Sequence, residues 1–438
     1  MSYISNILFA IVLIAGIGFF AMNVRKLIRN IKLGKDLDRS DNKSARWKNM
    51  ARIALGQSKM VSRPFAGFLH IIVYVGFIII NIEVLEIVID GLFGTHRVFQ
   101  PILGDTIYGF LIGTFEILAA LVFVTVILFW IRRNGIKIKR FLSKEMKGWP
   151  KKDGNFILYF EMVLMSLFIV MNATDHGFQE ASVGNPISQF VAPWFSSFSL
   201  ETLHLIEQSA WWIHIIGILI FLNYLYFSKH LHILLAFPNT YYANLNPKGQ
   251  FSNLESVTNE VKMMMDPDAD PYAMPAEGTE DEVPEKFGAS DVTDLNWVQL
   301  LNAYTCTECG RCTSSCPANL TGKELSPRAI MMKTRDRLEE VGKNIDKNGG
   351  EFKDDGKQLL NDYITPEELW ACTSCNACVE ECPIDIDPLS IITEMRRYLV
   401  MEQSAAPQEL NMMMTNIENN GAPWQYSPMD RLNWKDEK

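Results

Sequence analysis

Cys306-Thr-Glu-Cys309-Gly-Arg-Cys312-Thr-Ser-Ser-Cys316-Pro317 and Cys372-Thr-Ser-Cys375-Asn-Ala-Cys378-Val-Glu-Glu-Cys382-Pro383 are two copies of one pattern, CxxCxxCxxxCP. Together they hold all eight cysteines of the 438-residue chain. Three closely spaced thiolates wrap one face of a cubane iron-sulfur cluster, and the fourth cysteine of such a run ligates the other cluster. The spacing therefore assigns Cys306, Cys309, Cys312 and Cys382 to one [4Fe-4S] cluster, and Cys372, Cys375, Cys378 and Cys316 to a second. A chain built this way moves single electrons.

Zinc and disulfides fit the same cysteines badly. Structural zinc takes four ligands, usually as two separated CxxC pairs, without a third cysteine at the same spacing followed by Cys-Pro. Disulfides require an oxidising compartment, whereas the topology below places these cysteines in the cytoplasm.

Outward from this segment, the chain divides by charge. Residues 1–237 carry 23 Lys and Arg against 15 Asp and Glu, and the remainder carries 18 against 35, so a net of +8 faces a net of −17. The basic part contains five apolar stretches of membrane-spanning length, Ile4 to Val24, Phe65 to Ile89, Ile107 to Ile131, Phe156 to Ala173 and Ala210 to Phe237. Twelve Lys/Arg lie from Arg25 to Arg63 and nine from Arg132 to Lys152, whereas Gly91 to Gly104 has only Arg97 and Asp175 to Thr202 has none. The positive-inside rule then gives an outside N-terminus, five crossings of the cytoplasmic (inner) membrane and a cytoplasmic C-terminal part. Basic Arg25 and Lys26 follow the first span where a cleavage site would need small residues, so that span is expected to stay as an anchor.

Pro238 to about Asp294 reads as an acidic, Pro-rich connector. The methionine triplets Met263 to Met265 and Met412 to Met414 are expected to pack as apolar gap-fillers. Between the cysteine runs, Ser326-Pro327-Arg328 and Thr365-Pro366-Glu367-Glu368 are helix starts, with proline in the first turn where its missing N–H costs nothing. Glu308, Glu380, Glu381, Asp385 and Asp387 near the cysteines are expected on a solvated face. Nothing calls for a nucleic-acid partner.

Histidines in membrane spans are functional by default. His70 lies six residues inside Pro64, and His232 six residues before Pro238. They are the expected axial pair of a b-type haem on the cytoplasmic side. On a continuous fifth helix, His214 and His232 would face one way, five turns or about 27 Å apart. His214 is the alternative partner of His70 or a ligand of a second haem, with His176 and His204 near the outer ends. His230, about 200° round the helix from His232, is expected at the interface without a ligand role. Glu83, Glu86, Glu116 and Glu161 are candidate proton relays for a quinone.

The stretches His70-Ile-Ile-Val-Tyr-Val-Gly-Phe77, Ser228-Lys-His-Leu-His-Ile233 and Pro238-Asn239 resemble the cytochrome b subunit of respiratory nitrate reductase and its relatives in membrane heterodisulfide reductases. Lys286-Phe-Gly-Ala-Ser-Asp291, the run from Cys306, Gly322-Lys323 and Leu325-Ser-Pro327 resemble membrane-bound iron-sulfur oxidoreductases of the electron-transfer-flavoprotein:menaquinone oxidoreductase type. The resemblance implies a mainly α fold, a five-helix transmembrane cytochrome b-like bundle (1–237) followed by the connector (238–294), an α-helical two-cluster ferredoxin domain (295–403) and a docking tail (404–438). The nitrate reductase subunit has a second histidine ten residues after the first on its second span, where this chain has Ile80. Related oxidoreductases continue into CCG repeats, and no cysteine follows Cys382 here, so a separate CCG-type subunit is the expected partner.

What the resemblance implies in function is quinone-linked electron transfer. A soluble donor such as electron-transfer flavoprotein feeds a CCG-type partner, and electrons reach menaquinone by way of the two clusters and haem b. The alternatives are a membrane subunit of a heterodisulfide-reductase-like or hydroxyacid oxidoreductase, or a non-catalytic wiring subunit of a larger respiratory complex. The absence of an internal repeat or broken-helix pair argues against transport.

Overall fold

The computed structural model describes residues 3–181, 184–267, 286–425 and 427–436. Five helices are long and apolar enough to cross a membrane: α1 (Tyr3–Ile31), α2 (Pro64–Phe93), α3 (Asp105–Gly135), α4 (Trp149–Thr174) and α5 (Leu200–Phe227). Each packs on the next and α1 packs on α5, which closes the bundle into a ring. Small residues let the axes approach: a side chain at Gly76 would run into Val122, and one at Gly91 into the Phe9 ring. Residues such as Ile11, Phe110, Val163 and Ile213 point outward and are exposed, as a lipid-facing surface requires and a water-facing one would not tolerate.

The fifth span differs from its expected course. It ends at Phe227, because Ser228 is extended (φ −122°, ψ 148°). The buried Asp153 of α4 accepts the Lys229 backbone N–H at 3.2 Å, a donor that a continuing helix would give to Leu225, and the Ser228 hydroxyl accepts from the His230 N–H. The chain restarts as α6 (His232–Tyr241), with Pro238 inside it. His214 and His232 are thus on different helices, and the same-face argument does not apply.

Beyond α6, residues 268–285, the middle part of the expected acidic connector, lie outside the described residues. Its two ends are not linker. Asn239 and Thr240 are fully buried, and Ala289 and Val292 belong to the core of the cysteine-bearing domain. That domain therefore begins near residue 286. Its helices include α7 (Trp297–Thr305), α8 (Pro327–Lys347) and α9 (Pro388–Arg397). Asn296 and Gln299 form a capping box, the Ser326 side chain caps α8, and Thr365 and Glu368 form a second box. The methionine triplets do not pack: Met263 to Met265 and Met412 to Met414 sit on the exposed faces of helices Glu255–Met265 and Gln408–Asn420.

Bundle and cysteine domain share one hydrophobic core, in which Leu27, Phe221, Leu225, Leu231 and Ala236 join Leu300, Ile330, Ile391 and Met395. The charge split seen in the sequence closes on itself at this seam. Lys59 pairs with Asp385 at 2.7 Å, Arg63 with Glu381 at 3.4 Å, Lys26 with Asp346 at 3.1 Å, and Lys144 with Glu324 at 3.3 Å. Both basic loops thus lie on the side of the bundle that carries the cysteines.

Arg337 of α8 is fully buried and holds Asp291 at 2.7 Å and Asp355 at 2.6 Å. Arg337→Met would strand both carboxylates, at a cost of about 3 kcal/mol. The thermal midpoint of the domain, followed by circular dichroism in detergent, is expected to fall by roughly 10 °C. An unchanged midpoint would refute this role.

Candidate functional site

The two cysteine runs fold alike. In each, the second and fourth residues after the first cysteine are left-handed: Glu308 (φ 53°) and Gly310 (φ 71°), then Ser374 (φ 55°) and Asn376 (φ 59°). Gly310 is obligatory, since a Cβ there would lie 2.4 Å from the Arg328 guanidinium. This curl turns amide N–H groups toward sulfur. The Ser374 N–H donates to Cys372 Sγ at 3.4 Å, and the Ile386 N–H to Cys382 Sγ at 3.3 Å. Such amide nests hold anionic sulfur and tune cluster potentials.

Cys306, Cys309, Cys312 and Cys382 line one cavity, which Cys378 also lines. Cys372 is surrounded by Cys316 and Cys375, and Cys378 by Cys372 and Cys316. Among the described residues no three of His, Cys, Asp or Glu converge on a single metal ion. The thiols are thus spread round spaces wider than a zinc tetrahedron. Burial, reinforced by neighbouring groups, pushes Cys306 up to about 11 and Cys378 to about 12, and raises Cys312 and Cys382 as well. Thiolates in such surroundings need cationic iron to be stable, and the donor set fits two iron-sulfur clusters.

Glu308 departs from the expected solvated face. It is buried, and its carboxylate joins Lys229 to Arg335, the latter at 2.9 Å. Burial works to raise Glu308, but the two cations hold it below the ordinary carboxylate range. Asp385 and Glu381 pair with the basic loop before α2, and Glu380 pairs with Lys248. Asp387 caps α9 through the Ser390 N–H. Arg311, between Cys309 and Cys312, donates to the Lys59 carbonyl at 2.9 Å and the Ser62 hydroxyl at 3.3 Å. The loop 306–312 is therefore tied to both segments that lead into histidines: residues 59–62 before His70, and Lys229 before His232.

His70, His230 and His232 form one group at this end of the bundle, each within electrostatic reach of another. His230 and His232 rings lie 5.4 Å apart, edge to face. The break at Ser228 brings His230 into this group, which the continuous-helix reading missed. The Lys229 carbonyl lies 3.0 Å from His232 Nδ1, and this contact leaves Nε2 as the available ligand atom. His70 Nδ1 is buried without a partner. His70 and His232 thus each keep a ring nitrogen available to a ligand. His214 lies elsewhere, deep in the bundle, with Nδ1 also unpartnered. His176 and His204 are side by side with Glu180 and Glu207 at the far end.

The four candidate carboxylates fall into two kinds. Glu116 accepts from Asn172 at 3.0 Å and from the Ile187 and Ser188 N–H groups at 2.9 Å each, and Glu86 accepts from Tyr108 and the Phe99 N–H. With Arg97, Asp175 and Asn172 they close the far end of the bundle. Glu83 Oε2 has no partner. Glu161 opens onto a cavity that His214 also lines.

Residues 305–386 match the family model of the 4Fe-4S dicluster domain. This segment is a 4Fe-4S dicluster domain. Around it, 98% of the chain is similar, at 28% identity, to the probable iron-sulfur-binding oxidoreductase FadF of Bacillus subtilis, of which it covers 61%. At 25% identity, 92% of the chain is similar to the EtfAB:quinone oxidoreductase of Syntrophomonas wolfei, of which it covers 56%. A third relative, one of the polypeptides of the ferredoxin/F(420)H(2)-dependent CoB-CoM heterodisulfide reductase of Methanosarcina acetivorans, is 32% identical over 25% of the chain and 53% of its own length. The chain thus spans about three-fifths of the two relatives it follows along nearly its whole length. No solved structure matches it.

Proposed function

We propose that the chain is an oxidoreductase subunit, anchored in the cytoplasmic membrane, that passes electrons between a cytoplasmic donor and the menaquinone pool. The two [4Fe-4S] clusters and a b-type haem supply the single-electron steps. The observation that carries this reading is the attachment of loop 306–312 to both histidine-bearing segments, through Arg311 to residues 59–62 and through Glu308 to Lys229. His70 and His232 are the residues that would hold the haem, and the Lys229 carbonyl orients the second of them. The names of the relatives, one of them a quinone oxidoreductase of EtfAB, support electron-transfer flavoprotein as the donor. A CCG-type iron-sulfur subunit would dock on the exposed C-terminal tail, where Trp424 and Trp434 stand free.

The test is a reduced-minus-oxidised spectrum with pyridine haemochrome and iron quantitation on wild type and His70→Ala. One b haem per chain, lost in the variant while about eight irons remain, is the expected result. Absence of haem from the wild type would overturn the axial assignment.

A further inference from the structure

Between α2, α3, α4 and α5 lies a cavity. Its wall is mostly aliphatic and aromatic, and its polar groups are three: Asn81, Glu161 and His214. Asn81 is engaged with the Phe77 carbonyl of its own helix turn. The other two are idle. Glu161 makes no hydrogen bond or ion pair among the described residues, and His214, 1% exposed, has a bare Nδ1. The Leu164 carbonyl lies near the imidazole, and Nδ1 has no partner of its own; protonated there, the ring can donate to a ligand oxygen. Buried polar groups are nearly always paired, and the far end of this bundle obeys that rule through Glu86, Glu116 and Arg97. An unpaired carboxyl and an imidazole nitrogen without a partner, on one apolar cavity, mark a place where something else supplies the partners.

The shape and chemistry are those of a pocket for a flat, apolar molecule with two polar atoms. We propose that this cavity binds a quinone headgroup, with Glu161 and His214 meeting its two carbonyl oxygens. This rests on the quinone-linked reading above and adds where the quinone sits. A second haem is the rival occupant, but the α2 wall offers Phe77, Ile80 and Asn81 opposite His214, and none of these is a haem ligand.

Position supports the assignment. Phe221 lines the cavity and also packs against His230, with 5.5 Å between ring centroids. One aromatic ring therefore separates the cavity from the histidine group next to the cysteine loop. The reaction is Q + 2e⁻ + 2H⁺ → QH₂. The electrons arrive singly from the reduced soluble donor through the carriers already described. Each ring oxygen gains one proton, passed on by Glu161 or His214 and replaced from water.

The full chain in lipid nanodiscs would be titrated with 2-heptyl-4-hydroxyquinoline N-oxide, a quinone analogue, by quenching of its fluorescence. One site per chain is expected. Glu161→Gln, which preserves shape, is expected to weaken binding about tenfold. Ile80→Trp, which fills the cavity, is expected to abolish it. Both variants should keep wild-type iron and haem, which establishes that they fold. Wild-type affinity in both variants would overturn the proposal while leaving quinone binding elsewhere intact. A second haem in the wild type, lost in His214→Ala, would overturn it in favour of the rival occupant. No binding to the wild type would overturn it together with the quinone-linked function.

Discussion

Cys316→Ala is expected to remove the cluster of the other cysteine run, not that of its own. The chain would then hold about four irons where the wild type holds about eight. A pair of double variants makes the crossing visible by counting alone. Cys316 and Cys375 are assigned to one cluster, so replacing both should still leave about four irons. Cys316 and Cys309 are assigned to different clusters, so replacing both should leave almost none. Local pairing within each run predicts the reverse for both doubles. The physical ground is that Cys316 lies among Cys372 and Cys378, while Cys382 lies among Cys306, Cys309 and Cys312. Because Cys306, Cys316 and Cys382 are also part of the core shared with the bundle, loss of either cluster should lower the melting midpoint of the whole junction.

The cysteine spacing, the apolar spans and the helix starts at Ser326 and Thr365 were legible because each is local. A ligand loop, a span and a cap are decided by residues within a turn or two, or by mean apolarity over about twenty positions. What was not legible depended on partners far along the chain. Ser228 breaks the fifth helix although Leu231 to Phe237 are apolar enough to continue it, because Asp153, some 75 positions earlier, takes the Lys229 N–H. Glu308 looked like surface charge and is buried, since Lys229 and Arg335 arrive from two other segments to neutralise it. His230 was set aside by helical phase, and phase is lost once the helix breaks. The methionine triplets failed in the opposite sense: their helices have apolar faces that nothing among the described residues covers.

The same buried carboxylate gives the second large effect. Glu308 is the anion that Lys229 and Arg335 share, at the point where the loop 306–312 meets the segment leading to His232. Glu308→Gln keeps the shape and removes the charge, leaving Lys229 with only Asp153 at 3.7 Å and Arg335 with only Asp336 at 3.2 Å. Breaking a buried pair in this way costs about 3 to 5 kcal/mol. If the ion pair merely fills space, Lys229→Met should be as costly alone as in company with Glu308→Gln. If it is the tie described here, the double variant should be more stable than the sum of the single variants by at least about 1 kcal/mol, since the two residues share one interaction. Hydrogen exchange locates the effect. In Glu308→Gln, amides of residues 228–232 and of 306–312 should lose protection together, while those of the far-end network around Arg97 and Glu116 keep theirs. Loss confined to the cysteine loop would mean that it is held by Arg311 alone, and that the His232 segment is positioned from within the membrane.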